Sequence, residues 1–317
     1  VWNEDFCRQI VDPGRLPEIA WTSEIAGTVT RKAAEETGLA EGTPVTVGTI
    51  DAAAEAVSVG VVRPRQMMLM YGTTLFIIGV VDKRTTDKRM WSAPYLFPGT
   101  HAVMAGMATT GALTRWFRDN FSQDLKLKED ETGLNAYSKL AEDAGREPAG
   151  SEGLIVLPYF SGERTPINDP KARGLIFGLT LAHSRGSVYR AILEGVGYGI
   201  RHHFDVFDSM DMDIDSVRAV GGGTKNPLWL QIVSDICGRT QEVPGVTFGA
   251  SYGDAFLAGL GVEAFSSYED IFCWVKDIET VQPNPEAARV YQPYYEMYLE
   301  LYDRNKDLMH SISRSLD

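Results

Sequence analysis

Apolar runs of strand length alternate with amphipathic stretches of helical period along most of the chain, the pattern of an α/β protein. "RKAAEETGL" predicts a short helix stopped by Gly38, followed by a strand over Pro44–Val47 and a helix of small residues from Ala52 to Val59 that ends at Gly60. "QMMLMYGTTLFIIGVVD" predicts two near-continuous apolar strands joined by a tight turn at Gly72, Thr73 and Thr74. "AVMAGMATTGALTRWFRDNF" predicts a strand edge and then a helix with Leu113, Trp116 and Phe117 on one face. The polar stretch 122–150 predicts a mobile surface loop and one helix. "GLIVLPYFSGERTP" predicts a buried strand leading into a polar loop, and "SVYRAILEGVGYGIRHHFDVF" a long helix with small residues where another element approaches. "SVRAVGGGTKNPLWLQIVSDICGRTQEVPGV" predicts strand, glycine loop, helix and strand, and 285–317 a tyrosine-rich helical tail.

Composition narrows the class. With 317 residues, 44% of them hydrophobic and 23% charged, the chain can bury a core in one large or two unequal domains. A net charge of -13 argues against nucleic acid or an anionic membrane as partner, since both demand a basic face. A phosphate-bearing ligand would have to be held by backbone N–H groups, a helix terminus or a metal. Cys7, Cys237 and Cys273 are the only cysteines and form no C-x-x-C pair, which suits a reducing cytoplasm better than a disulfide or zinc framework. No apolar stretch of spanning length and no signal peptide is evident, so the expected location is cytoplasmic. The start, "VWNEDFCRQIVDPGRLPEIAWTSE", lacks Met, and the expectation is that it lies partway through a longer chain.

Candidate chemistry comes from a few polar or backbone-exposing positions. Asp51 stands alone between a strand and an apolar helix: it could cap that helix, or stay ionised at the mouth of a cleft as a general base. Gly221, Gly222 and Gly223 follow a strand, with Asn226 at a helix N-cap position and Pro227 at the first helical position. Such a loop lets a nucleotide approach the backbone, or is merely a tight turn. It is no Walker A loop. It nearly matches a dinucleotide G-x-G-x-x-G, with Asn226 in place of the third glycine and Glu242 near the distance of a ribose-binding acid. The turn at Gly72, Thr73 and Thr74 offers N–H groups and hydroxyls that could hold terminal phosphates. Close helix packing accounts for the small residues of "GASYGDAFLAGLG". His202 and His203, adjacent on a helix, diverge and make a poor metal pair, and His183, Arg185, Arg190 and Glu194 read equally well as a structural charge network.

Taken in order, "GTPVTVGTIDAAAEAVSVG", "YGTT", "SGERTPINDPKARGLIFGL", "RAILEGVGYGIR", "GGGTKNPLWLQIVSDICG" and "GASYGDAFLAG" resemble the FGGY carbohydrate kinases of the actin-like ATPase superfamily, with "GERTP" most like the xylulokinase branch. The resemblance implies an α/β, ribonuclease H-like fold: residues 1–60 as the tail of a first, sugar-binding domain and 61–317 as a second, nucleotide-binding domain with its helical tail. It implies ATP and Mg²⁺ as cofactors, Asp51 as catalytic base, Gly72, Thr73 and Thr74 as a phosphate loop, and Gly221, Gly222, Gly223 and Asn226 as an adenosine loop. The implied reaction is phosphorylation of a sugar hydroxyl, a ketopentose such as D-xylulose being favoured. The family's first phosphate loop, Asp-x-Gly-Thr, has no counterpart upstream of Asp51, so little turnover is expected of this chain alone, and apolar faces around Trp21 and Ile25 could favour a homodimer. A dinucleotide-dependent oxidoreductase built on the Gly221–Asn226 loop and a catalytically silent ATP-binding module stand as alternatives.

Overall fold

The computed structural model describes residues 2–245 and 248–314; the last three residues of the expected tail lie outside them. After α1 (Glu4–Cys7), strands β1 (Ile25–Thr28) and β2 (Pro44–Thr46) pair antiparallel around α2 (Arg31–Thr37). The Thr30 hydroxyl accepts from the Ala33 amide at 3.2 Å to start α2, and Gly38, at φ 79°, stops it. Trp21 and Ile25 are exposed in this region.

From α3 (Asp51–Ser58) the chain enters the main body through β3 (Gln66–Tyr71), β4 (Leu75–Val81), β5 (Trp91–Pro94) and β6 (His101–Met107). Helices α4 (Gly111–Phe121), α5 (Gln123–Thr132) and α6 (Ala136–Gly145) follow, then a small antiparallel pair of β7 (Ile155–Leu157) and β8 (Leu175–Phe177). The expected loop and single helix between 122 and 150 are therefore two helices. Leu125, Ala136, Leu140 and Ala144 are buried there, too few apolar anchors to stand out in so polar a stretch. The remainder is α7 (Arg185–Ser209), β9 (Ser216–Val220), α8 (Pro227–Cys237), β10 (Gln241–Val243), α9 (Ala250–Gly261), β11 (Glu279–Val281) and α10 (Pro285–Arg314).

Seven strands form one mixed sheet in the order β11, β10, β9, β3, β4, β6, β5. β3 runs parallel to β9, with Leu69 opposite Ala219, and antiparallel to β4, with Leu69 opposite Ile77. Both faces are covered, so β3 and β4 read as continuous apolar runs rather than alternating ones. Met67, Leu69 and Tyr71 enter the larger core with α4, α6, α7, α8 and α10. Met68, Ile78, Val80 and Val220 enter a second core with α3 and α9. The small residues on α7 allow close approach: a side chain at Gly195 would collide with the Val156 carbonyl of β7.

The charged residues near the start of α7 divide. Buried Glu194 accepts from Arg190 Nε at 2.8 Å, the Gly150 amide at 3.0 Å, Tyr291 OH at 3.1 Å and Ser151 Oγ at 2.7 Å. That network ties α7 to α10 and to the turn before β7, and it is structural. Arg185 lies nearer the surface, 2.6 Å from Asp124.

Candidate functional site

The turn at Gly72, Thr73 and Thr74 lies where β3 ends, and the glycine loop lies where its parallel neighbour β9 ends, so the register alone brings the two together. Their contact is intimate. A β-carbon on Gly221, which sits at φ 90°, would stand 2.7 Å from the Tyr71 carbonyl oxygen, and one on Gly223 2.7 Å from Tyr71 Cβ. Both glycines are thus dictated by the protein's own packing. At Gly222, also exposed, a β-carbon would meet nothing within 4 Å. Of the three, Gly222 alone leaves open space beside bare backbone.

Asn226 caps α8 as its sequence position foretold: its Oδ1 accepts from the Trp229 amide at 3.2 Å, with Pro227 next. Tyr71 secures the other side of the loop, donating to Gln241 Oε1 at 2.6 Å and meeting Trp229 edge-on at 5.6 Å.

A third segment joins them. The amides of Thr110, Gly111 and Ala112, at the start of α4, donate to the carbonyls of Thr73 (3.1 Å), Gly72 (3.0 Å) and Thr73 (3.0 Å). The orphan amides of a helix start are therefore spent on the turn's carbonyls. Among the described residues the Thr73 and Thr74 amides find no acceptor of their own, and Thr73 is exposed. A turn held by its carbonyls, with amides left over, is a concave donor site for an anion.

Asp51 opens α3. α3 packs in the second core with Met68 of β3 and Ile78 and Val80 of β4, and Arg218 of β9 donates to the Val59 carbonyl at its far end at 2.7 Å. Asp51 is exposed, and among the described residues its Oδ1 accepts only from the adjacent Ala52 amide, at 2.7 Å. Ile50 occupies the N-cap position with no side-chain cap bond, and Asp51, in the first turn, satisfies the Ala52 amide in its place; the expected capping role is met in part, while the carboxylate stays open to solvent. Burial, and then Asp51 itself, raise the pKa of Glu55 one turn on.

Sequence reasoning missed two contributors. The Thr109–Gly111 segment was read only as a helix start, although Thr-Thr-Gly after an apolar strand was the available signal. The "GERTP" loop, read only as a polar loop after a buried strand, is itself buried at Glu163 and Thr165. Glu242, the candidate ribose acid, is engaged by Arg218 Nε at 2.5 Å and Ser216 Oγ at 2.8 Å, and a 3₁₀ turn at Gly222–Lys225 separates β9 from α8; neither suits a dinucleotide fingerprint. Among the described residues no three His, Cys, Asp or Glu side chains gather as a metal site, and no helix is long and apolar enough to cross a membrane.

Residues 67–262 match the FGGY family of carbohydrate kinases, C-terminal domain. The chain belongs to this family. Its α/β body is the actin-like ATPase fold of that C-terminal domain. Among relatives, the xylulose kinase of Escherichia coli is 31% identical over 97% of this chain and 62% of its own length. The gluconokinase of Bacillus subtilis is 27% identical over 95% and 59%. The crystal structure of xylulose kinase from Rhodospirillum rubrum superposes with a TM-score of 0.85 at 32% identity, covering 98% of this chain and 61% of that one. The FGGY chain thus spans roughly three fifths of the length of these relatives.

Proposed function

We propose that this FGGY chain carries the nucleotide-binding part of an ATP-dependent sugar kinase. The observation that supports it best is the pair of uncommitted surfaces at one sheet end: the free amides of Thr73 and Thr74, and the open face of Gly222. The turn amides suit terminal phosphates, and the bare backbone at Gly222, beside the capped start of α8, suits the adenosine. Asp51 is the base in this reading. It takes the proton of a sugar hydroxyl as that oxygen bonds to the γ-phosphorus and the bond to the β-phosphate oxygen breaks, releasing ADP. Mg²⁺, when bound, would neutralise phosphate charge. A single exposed carboxylate in this role fits an ion that keeps most of its waters.

Residues 1–60 read as part of a sugar-binding domain. The family match beginning at residue 67 supports this, as do the exposed Trp21 and Ile25, which could equally cover one another in a homodimer. Relatives named for xylulose, gluconate and ribulose make the acceptor a sugar or sugar acid. A ketopentose such as D-xylulose is favoured by the xylulose kinases at 28–31% identity.

Calorimetric titration with Mg-ATP, beside NAD, tests the reading on wild type and Gly222→Ala. The expected result is ATP binding that weakens at least about tenfold in the variant, about 1.4 kcal/mol, with unchanged melting. Binding of NAD without ATP would refute it.

A further inference from the structure

We infer that Glu163 and Thr165 are positioning residues for the phosphate turn, acting through the segment that leads from β6 into α4. The inference rests on the reading of Gly72–Thr74 as a phosphate site and extends it to a loop that reading leaves unused.

The connection is continuous in hydrogen bonds. Glu163 Oε1 accepts from the Ala108 amide at 2.7 Å and from the Arg164 amide at 2.8 Å. Thr165 Oγ1 accepts from the Gly106 amide at 2.7 Å and lies 3.1 Å from the Gly106 carbonyl. The same hydroxyl is 3.0 Å from His203 Nε2, whose Nδ1 donates to the Gly199 carbonyl at 2.7 Å. One loop thus grips residues 106 and 108, while residues 110–112 grip the carbonyls of Gly72 and Thr73. If the grip on Ala108 fails, the amides that aim the turn lose their anchor.

Glu163 is too costly a residue to serve as a plain staple. It is buried, and among the described residues its Oε2 has no partner; Thr109 Oγ1 and Thr110 Oγ1, on the segment it holds, are buried and unpartnered among them as well. An apolar residue with a backbone donor nearby would fill such a place at lower cost.

Burial pushes the Glu163 carboxyl up to about 7, against the lowering effect of the two amides and Arg164. Tyr159 and Tyr298 lie within electrostatic reach of it; burial pushes both phenols up, and burial holds His203 down to about 4. Glu163 is then the one of these groups that titrates near neutrality. Its folded pKa lies above the ordinary 4.5 of an opened segment, so opening becomes easier as pH rises from 4.5 towards 7. Linkage bounds the gain at about a few hundred-fold.

The test compares wild type, Glu163→Ala and Glu163→Gln as the whole chain, by amide hydrogen exchange resolved by residue and by Mg-ATP calorimetry. Expected in Glu163→Ala is exchange at least about tenfold faster at Thr110, Gly111 and Ala112, with Ile77 and Val103 unchanged, and Mg-ATP affinity about tenfold weaker. Glu163→Gln keeps the acceptor oxygen, so it should restore both while abolishing the pH dependence of protection seen in wild type. The inference is overturned if Thr110–Ala112 stay protected in Glu163→Ala, if the whole sheet opens with them, or if exchange quickens without loss of affinity. Should wild type bind no Mg-ATP, the phosphate reading fails with it, and the exchange data alone judge the clamp.

Discussion

Replacing Gly253 by alanine should move two helices and, with them, the proposed base. A β-carbon there would stand 2.7 Å from the Ala54 carbonyl carbon of α3 and closer still to its oxygen. The obstacle is backbone, so no rotamer change relieves it, and α3 and α9 must part by about an ångström. Overpacking of this kind costs about 1–3 kcal/mol, and a rigid backbone contact belongs at the upper end. Alanine's better helix propensity returns about 1 kcal/mol. The clash wins, leaving a net loss of about 2 kcal/mol, which for a chain of this size lowers Tm by about 3 °C. Asp51 lies one turn before Ala54 on α3, so the displacement reaches it, and misplacement by about 1 Å can cost about a hundredfold in rate. The measurements are scanning calorimetry and, with the complete sugar site assembled, kcat at saturating nucleotide. Mg-ATP affinity should hold, because the main neighbours of the glycine loop are α8, β3 and β9. A Tm that stays put or rises would show that propensity outweighs the contact, and the account of the small-residue stripe would be wrong.

Two further outcomes follow from the same geometry. Asn226→Ala removes the side-chain acceptor for the Trp229 amide and should cost about 1 kcal/mol in urea unfolding, with faster amide exchange confined to the first turn of α8. Arg190→Met strands the Glu194 carboxylate in the core and should cost about 3–5 kcal/mol near neutral pH. Burial already raises the Glu194 pKa, so the deficit should shrink as pH falls and the group takes a proton; a deficit independent of pH would argue that Glu194 is neutral throughout.

What could be read from the chain, and what could not, divides along physical lines. The hairpin at 66–81 was legible because strands buried on both faces are apolar throughout. Starts and stops were legible where a local bond makes them, as at Asn226 with Pro227 and at Gly38 and Gly238, both left-handed in the structure. The helices at 123–145 were not, since so few of their residues reach the core. Nor was the burial of Glu163: its carboxylate is held by the Ala108 amide of a distant segment, and no local pattern announces a contact that remote. The glycine loop shows the limit most sharply. Three identical residues read alike in sequence, yet two are fixed by Tyr71 and one is free.

That difference bears on how a chain of net charge -13 could hold a polyphosphate. Its sheet supplies the answer through strand direction. β9 and β3 run parallel and finish together, while β4 turns back antiparallel, so the loops after β9 and β3 share the carboxyl end of the sheet, where α/β proteins place their ligands. The start of α4 then satisfies the turn's carbonyls rather than facing solvent, which converts one helix terminus into a scaffold and leaves the amides of Thr73 and Thr74 as donors. Neutral dipoles held by a core on each face need no basic patch. On the proposed reading, affinity should come from preorganised backbone, and the residues that hold that backbone still, Tyr71, Asn226 and Glu163, matter as much as the groups that would touch the nucleotide.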